Sequence, residues 1–331
     1  MLSLRPSAPS SICLLSTLRC NASCKNCCNG CSPDRGAHMT YEQMKTYIDR
    51  SMEAYGQTIT QIGLTGGECM LYPADVEKII EYGATLRLNV SILSNCFWAT
   101  SYAKAYQTLG RLKQLGLTSM CFSTGEDHQK WVPLRYVRNA SVAAARLGLK
   151  VQVRVETYRY RAPTQARLER DTVFMRLVKD KRIDLCYITW MDFNNKTESC
   201  HHRKYRYPIY EEDIPCRSML RDIIITPYGD VMACTGLSAF RNPYMRLGNI
   251  NKDSVQEVFE RGFQDMLKIW LRTKGPANIL RYVHDNSNLW IRNTSGHHCD
   301  LCRAIFADTK IMDFLRESAV KWAYDATSRY Y

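Results

Sequence analysis

Three cysteines, Cys20, Cys24 and Cys27, form a Cys-x3-Cys-x2-Cys run directly after the short apolar stretch Ile12-Cys13-Leu14-Leu15. That order reads as a strand feeding a loop. A loop can wrap three sulfurs around one inorganic centre, whereas a helix or strand cannot aim all three at a point. Thiolates are soft ligands that suit zinc or an iron-sulfur cluster. Three protein ligands on a four-iron cube would leave one iron open to a small molecule. The alternative is a zinc knot drawing on the additional Cys28 and Cys31.

The chain has 331 residues, 15 of them cysteine. No run of about 18 apolar residues is present, so no membrane span is expected. The N-terminal apolar patch is too short and too interrupted for a secretory signal, which points to the cytoplasm. In a reducing compartment a disulfide framework is not expected, and metal is the better use of the clustered cysteines. Cys13, Cys69, Cys96, Cys121, Cys186 and Cys200 stand singly and read mostly as small buried hydrophobes. With 45% hydrophobic and 23% charged residues, the chain can bury one large core and a smaller one. A net charge of +13 attracts anions: an acidic peptide, a phosphorylated small molecule or RNA. The arginines, among them Arg135, Arg138, Arg154, Arg159, Arg161, Arg167, Arg203 and Arg206, form no dense block, so a solvated basic surface explains the charge as well as a binding patch does.

Strand and helix patterns alternate. A helix over 39–55 opens on a Thr40/Gln43 capping box. The strand over 58–64 ends in Thr65-Gly66-Gly67-Glu68, where two glycines let backbone approach a ligand and the carboxylate could accept from an ammonium group. Helices over 73–85, 102–115 and 133–147 alternate with strands over 87–94, 117–123 and 150–157, and a last strand is expected over 187–190. Six such units imply a parallel sheet with helices outside, and right-handed crossovers make an open barrel the simplest closure. Residues 191–213 read as a linker or substrate-facing loop, with His201 and His202 as surface residues. A β-hairpin follows, Ile223–Thr226 and Val231–Ala233 around Pro227-Tyr228-Gly229-Asp230. Cys216 and Cys234 bracket it, and Cys299-Asp300-Leu301-Cys302 lies far downstream. Together these four thiols make a closed four-sulfur site, iron-sulfur or zinc ribbon. One helix is expected over 254–271.

The Cys-x3-Cys-x2-Cys loop after a first strand, with Gly66-Gly67-Glu68 ending the second, resembles the radical S-adenosylmethionine enzymes. The resemblance departs at Asn26, where the family usually has an aromatic residue. It implies an α/β fold with a six-unit partial barrel over 1–195 and its site at the C-terminal strand ends. It also implies a 4Fe-4S cluster on Cys20, Cys24 and Cys27 whose open iron chelates S-adenosylmethionine. Gly66, Gly67, Glu68, Ser94, Asn95, Ser123 and Arg154 are the residues it suggests for holding that cofactor. The Cys216, Cys234, Cys299 and Cys302 spacing is similar to auxiliary-cluster modules of the twitch and SPASM kind over 196–331. Because Cys302 is followed by no further cysteines, a single auxiliary 4Fe-4S cluster, the twitch form, is expected. The family resemblance points to modification of a ribosomally made peptide, by cross-link, thioether or epimerisation. An external donor such as a flavodoxin or ferredoxin would supply electrons. Cys96, Cys186 or Cys200 could return a hydrogen atom to a substrate radical. Oxidation of a small alcohol or sugar-like metabolite is the competing activity. A zinc-bound nucleic-acid-binding protein is a third reading, which leaves the barrel and Gly66-Gly67-Glu68 unexplained.

Overall fold

The computed structural model describes residues 8–157, 163–189, 191, 193, 213–291 and 297–327. Its frame is six parallel strands: β1 (Ser11–Thr17), β2 (Gln61–Gly66), β3 (Asn89–Ser94), β4 (Leu117–Gly125), β5 (Lys150–Thr157) and β6 (Asp184–Thr189). Between them run α1 (Tyr41–Tyr55), α2 (Pro73–Thr85), α3 (Tyr102–Gln114), α4 (Leu134–Arg146), α5 (Pro163–Glu169) and α6 (Thr172–Lys179). The expected strand-helix alternation is thus present, and α1 opens on the Thr40/Gln43 capping box.

Residue alternation in each strand decides which face meets the helices. In β5, Val151, Val153 and Val155 are buried with Val137, Ala140, Ala143 and Phe174 of α4 and α6 in one core. The alternate residues Gln152, Arg154 and Glu156 point the other way, because successive side chains of a strand take opposite faces. On that inner face a polar ladder crosses three strands. Cys121 Sγ and Arg154 Nε both donate to Gln152 Oε1 (3.7 and 2.7 Å), and Gln152 Nε2 donates to Asp184 Oδ2 at 2.7 Å. A parallel sheet covered on both faces reads as continuous apolar runs. Here period-two alternation marks the inner face as one that meets polar groups.

The last barrel strand begins at Asp184, three residues before the expected start. Its polar-apolar alternation, Asp184-Leu185-Cys186, hides it from a search for an apolar run. After it come β7 (Ile223–Ile225), β8 (Asp230–Met232) and β9 (Arg246–Asn249), and β7 pairs in parallel with β1. The result is a nine-stranded sheet in the order β6-β5-β4-β3-β2-β1-β7-β8-β9. Ile223, Ile225, Val231, Ile250, Val258 and Phe259 belong to the same core as the barrel helices.

The expected helix over 254–271 is two, α7 (Val255–Gln264) and α8 (Met266–Thr273). Asp265 separates them by capping α8, its Oδ1 accepting from the amides of Leu267 and Lys268 at 3.0 and 3.2 Å. Beyond lie α9 (Gly275–Asn286), α10 (His298–Ala307), α11 (Thr309–Glu317) and α12 (Ala319–Thr327). They pack a second core on Trp270, Leu280, Leu301 and Ile305, in which the Trp270 and Trp322 rings stack at 4.7 Å.

Candidate functional site

Cys20, Cys24 and Cys27 line one cavity of about 110 Å³ at the C-terminal ends of the strands, together with Gly66, Gly67, Ser94, Asn95, Ser123, His128 and Glu156. Among the described residues no three or more His, Cys, Asp or Glu side chains stand close enough to hold a single metal ion. What the thiols share is a chamber. The loop carrying them is tied down on several sides. The Asn26 amide donates to Asp127 Oδ2 at 3.2 Å, and the Asn29 side chain donates to Gly66 O at 3.4 Å. Asn95 Nδ2 donates to Cys20 Sγ at 3.7 Å and to Asn21 Oδ1 at 2.9 Å. At Asn26, where the resembled family usually has an aromatic residue, a backbone amide helps to anchor the loop.

Electrostatics single out Cys27. A hydrogen bond from the Cys31 thiol, joined by backbone amides of Cys31, Asn29 and Gly30, outweighs burial and lowers its pKa. The same contacts favour its thiolate, the form that ligates metal. Burial chiefly raises Cys20, to about 11, and raises Cys24 further. A bound cation offsets that cost, so three thiols around one chamber fit an iron-sulfur cluster.

The glycines of the second strand's end serve packing. A Cβ on Gly67 would lie 2.1 Å from Arg19 O, and one on Gly66, at φ +144°, would lie 2.4 Å from Thr17 O. Their bareness lets β2 press against the start of the cysteine loop, with Gly67 N and Glu68 N donating to Thr17 O and Arg19 O at 2.7 and 2.9 Å. Glu68 is wholly buried behind the cavity, not in its wall. Its carboxylate accepts from Ser94 Oγ (2.9 Å), Asn95 N (2.7 Å) and Met70 N (3.1 Å), and burial raises its pKa to about 7. It fixes Ser94 and Asn95, which do line the chamber.

Cys96 takes the left-handed conformation, φ +69°, that a glycine would adopt freely. It is fully buried, and burial holds its thiol pKa well above the ordinary value. It does not reach the cavity walls. Cys186 faces the barrel interior from β6 beside Asp184, to which its thiol donates at 3.5 Å. Cys200 lies outside the described residues, as do His201 and His202.

A second cavity of about 380 Å³ adjoins the first, and Cys28, Asn29, Leu93, Ser123, His128 and Glu156 line both. Arg154 is in its wall, whereas Arg135 is exposed on α4. Cys13 and Cys121, which stand singly in the sequence, and Cys28, offered there only to a zinc knot, also face it. Burial pushes Cys13 up to about 12, Cys28 up to about 12 and Cys121 up to about 11. Each keeps its S–H at neutral pH. Where the cavities meet, His128 Nδ1 lies 2.9 Å from Glu156 Oε2, while Glu156 Oε1 is buried with no hydrogen-bond partner. Burial alone would depress the imidazolium, but the Glu156 carboxylate outweighs it and raises the His128 pKa. An unpartnered buried carboxylate oxygen on a cavity wall fits a ligand that donates a hydrogen bond.

The other four thiols also gather. Cys299 and Cys302 stand three residues apart on α10, hence on one face of it. Cys234, at the end of the hairpin, is close enough to Cys299 that a Cβ on Gly236 would meet both sulfurs, at 3.1 and 3.4 Å. Burial, and then the charges of the companion thiols, raises Cys234 to about 12 and Cys299 to about 11, and Cys216 acts on both. Gly236 carries no motif signal in the sequence; its role shows only once α10 folds back over it.

Residues 216–284 match the model of SPASM, an iron-sulfur cluster-binding domain. The match takes in Cys216 and Cys234 and ends before Cys299. A relative in Bacillus subtilis (strain 168), named "Putative peptide biosynthesis protein YydG", is 28% identical over 121 residues, 37% of this chain and 37% of that protein. The chain thus spans little more than a third of the curated relative's length. The crystal structure of SuiB from Streptococcus suis aligns over 87% of this chain and 77% of its own, at 12% identity and a TM-score of 0.49. Methylornithine synthase (PylB) aligns over 56% and 54%, at 15% identity and a TM-score of 0.38. The chain carries an iron-sulfur cluster-binding SPASM domain over residues 216–284.

Proposed function

We propose that the chain cleaves S-adenosylmethionine reductively and uses the resulting radical to modify a peptide. The observation that carries this reading is the convergence of Cys20, Cys24 and Cys27 with Gly66, Gly67, Ser94 and Asn95 on one chamber. A 4Fe-4S cluster with one open iron supplies, when bound, the electron that splits the sulfonium and leaves a 5'-deoxyadenosyl group able to take a hydrogen atom. Cys27, whose thiolate the neighbouring donors favour, and Cys20, with Asn95 donating to its sulfur, would hold that cluster together with Cys24. Ser123 and Arg154 stand where a carboxylate or hydroxyl of the cofactor could be met. Arg154, with its planar fork, suits a carboxylate. Cys216, Cys234, Cys299 and Cys302 would hold a second cluster with no open position, suited to carrying electrons.

The larger cavity, with its polar inner wall, is where substrate would enter. A peptide is favoured because the curated relative is named for peptide biosynthesis. The net charge of +13 suits an acidic segment of such a peptide. S–H groups on Cys13, Cys28 and Cys121 could return a hydrogen atom, which would give a redox-neutral change such as epimerisation. Oxidation through the auxiliary cluster would instead give a cross-link. Among the described residues no helix is long and apolar enough to cross a membrane; a cytoplasmic enzyme served by a flavodoxin or ferredoxin is consistent with that.

Anaerobic reconstitution should give about eight irons and about eight sulfides per chain, a four-iron cube at each site. Reduced protein should then form 5'-deoxyadenosine from S-adenosylmethionine, and Cys20→Ala, Cys24→Ala or Cys27→Ala should abolish it. Zinc without sulfide, or cleavage that survives all three changes, would overturn the reading. A precursor peptide co-expressed with the enzyme should lose two hydrogens or gain deuterium from solvent by mass spectrometry. A modified small metabolite beside an unchanged peptide would favour the alcohol-oxidising alternative.

A further inference from the structure

The two thiol groups are joined by one short stretch of chain. Cys234 opens it with a sulfur of the auxiliary group, and Gly236 sits against the sulfurs of Cys234 and Cys299. Ser238 Oγ donates to Cys299 O at 3.2 Å. Phe240 packs against both surroundings, the cluster of Leu15, Leu18, Cys20 and Cys31 and the core that contains Cys234. Arg241 ends the stretch by gripping the N-terminal cysteine loop. Its Nη2 donates to Cys27 O at 2.8 Å and its Nε to Cys28 O at 3.3 Å. The guanidinium also lies over the Phe193 ring, 4.5 Å from its centroid. A planar fork on two successive carbonyls fixes the loop's orientation in a way that a lysine could not.

We infer that the segment Cys234–Arg241 couples the two thiolate centres, with Arg241 as the positioning residue that holds the Cys20/Cys24/Cys27 loop. This rests on the proposed function, since it requires a cluster at each centre. Two consequences follow from charge and connectivity. A cation fixed to the carbonyls of Cys27 and Cys28 stabilises the more negative, reduced state of a cluster on that loop. Emptying the auxiliary site frees Cys234 and Cys299, so the tether loses its far anchor and Arg241 its register.

The test uses the full chain, reconstituted anaerobically, with the N-terminal cluster followed by electron paramagnetic resonance during redox titration. Arg241→Gln should shift its midpoint potential to more negative values with iron content retained. Arg241→Lys, which keeps the charge without the fork, should recover part of that shift. Cys302→Ala, which empties the auxiliary site, should shift the same midpoint in the same direction. The Cys302→Ala/Arg241→Gln double variant should shift it no further than Arg241→Gln alone, because both act through one contact. An unchanged midpoint in Arg241→Gln, or shifts that simply add, would overturn the coupling while leaving the proposed function standing. A wild-type chain that takes up no cluster would overturn both.

Discussion

Glu156 and His128 meet where the two cavities join, and the pair has a pH signature. The His128 pKa is raised in the folded chain above 6.5. Its contribution to stability is therefore complete below 6.5 and is lost as pH rises through the higher folded value. Glu156→Gln should cost about 1–3 kcal/mol at pH 6. It should also flatten the fall in melting temperature as pH rises above 6.5 through the raised imidazole pKa. Parallel melting profiles for the two proteins would show that the imidazole is not held by the carboxylate. The glycines make a sharper contrast. Gly67→Ala pushes a Cβ to within 2.1 Å of Arg19 O. It should cost about 1–3 kcal/mol and deplete the N-terminal cluster. Gly236→Ala meets two sulfurs at 3.1 and 3.4 Å, and should remove about four irons, one cube, while S-adenosylmethionine cleavage persists. Iron analysis and thermal melts of each variant distinguish these outcomes. Gly66-Gly67 was legible as a place where backbone approaches closely, but what it approaches is the chain's own loop. Gly236, Cys13 and Cys121 were not legible, because a lone glycine or cysteine is marked only by what folds opposite it.

Elements were read best where the hydrophobic period and a cap agree. The helix over 73–85 matches α2 at both ends, with a proline at its start and apolar Val76, Ile79 and Ile80 on one buried face. The strand over 150–157 matches β5 end to end, because its valines alternate without interruption. At Asp265 the two signals conflict. Apolar residues keep helical spacing across it, so periodicity alone runs α7 into α8, yet the aspartate turns away to cap the second helix and forms an ion pair with Lys268. Asp265→Ala should therefore destabilise the chain by about 1 kcal/mol, more than an exposed mid-helix aspartate would. Urea unfolding measures this directly. A loss within error would mean that the break is set by packing around Ile269 and Trp270, not by the cap.

At the scale of the molecule, the segments on either side of the boundary expected near residue 195 pack against one another. β7 pairs with β1, three residues against three, from Ile12↔Ile223 to Leu14↔Ile225. Ile12, Leu14, Ile223 and Ile225 are each buried in a core shared with α1, α2 and α7. Ser11 Oγ adds a hydrogen bond to Asp222 Oδ1 at 2.7 Å across the same seam. Remove everything after residue 195 and β1 becomes an edge strand with open amides and carbonyls, directly upstream of the Cys20/Cys24/Cys27 loop. Unpaired edges of that kind invite association with other chains. The loop would also lose the Arg241 fork. A fragment of residues 1–195 should therefore aggregate or melt without a cooperative transition, and should fail to retain iron on Cys20, Cys24 and Cys27. Cooperative unfolding of that fragment, with iron bound, would show that the barrel needs no support from the hairpin. The parallel seam joins segments some 210 residues apart in sequence, and contacts that distant are slow to form. Substitutions that weaken the seam, such as Ile224→Asp on β7, should lower the yield of refolded chain before they alter chemistry at the strand ends, as refolding yield and cleavage activity measured side by side would reveal.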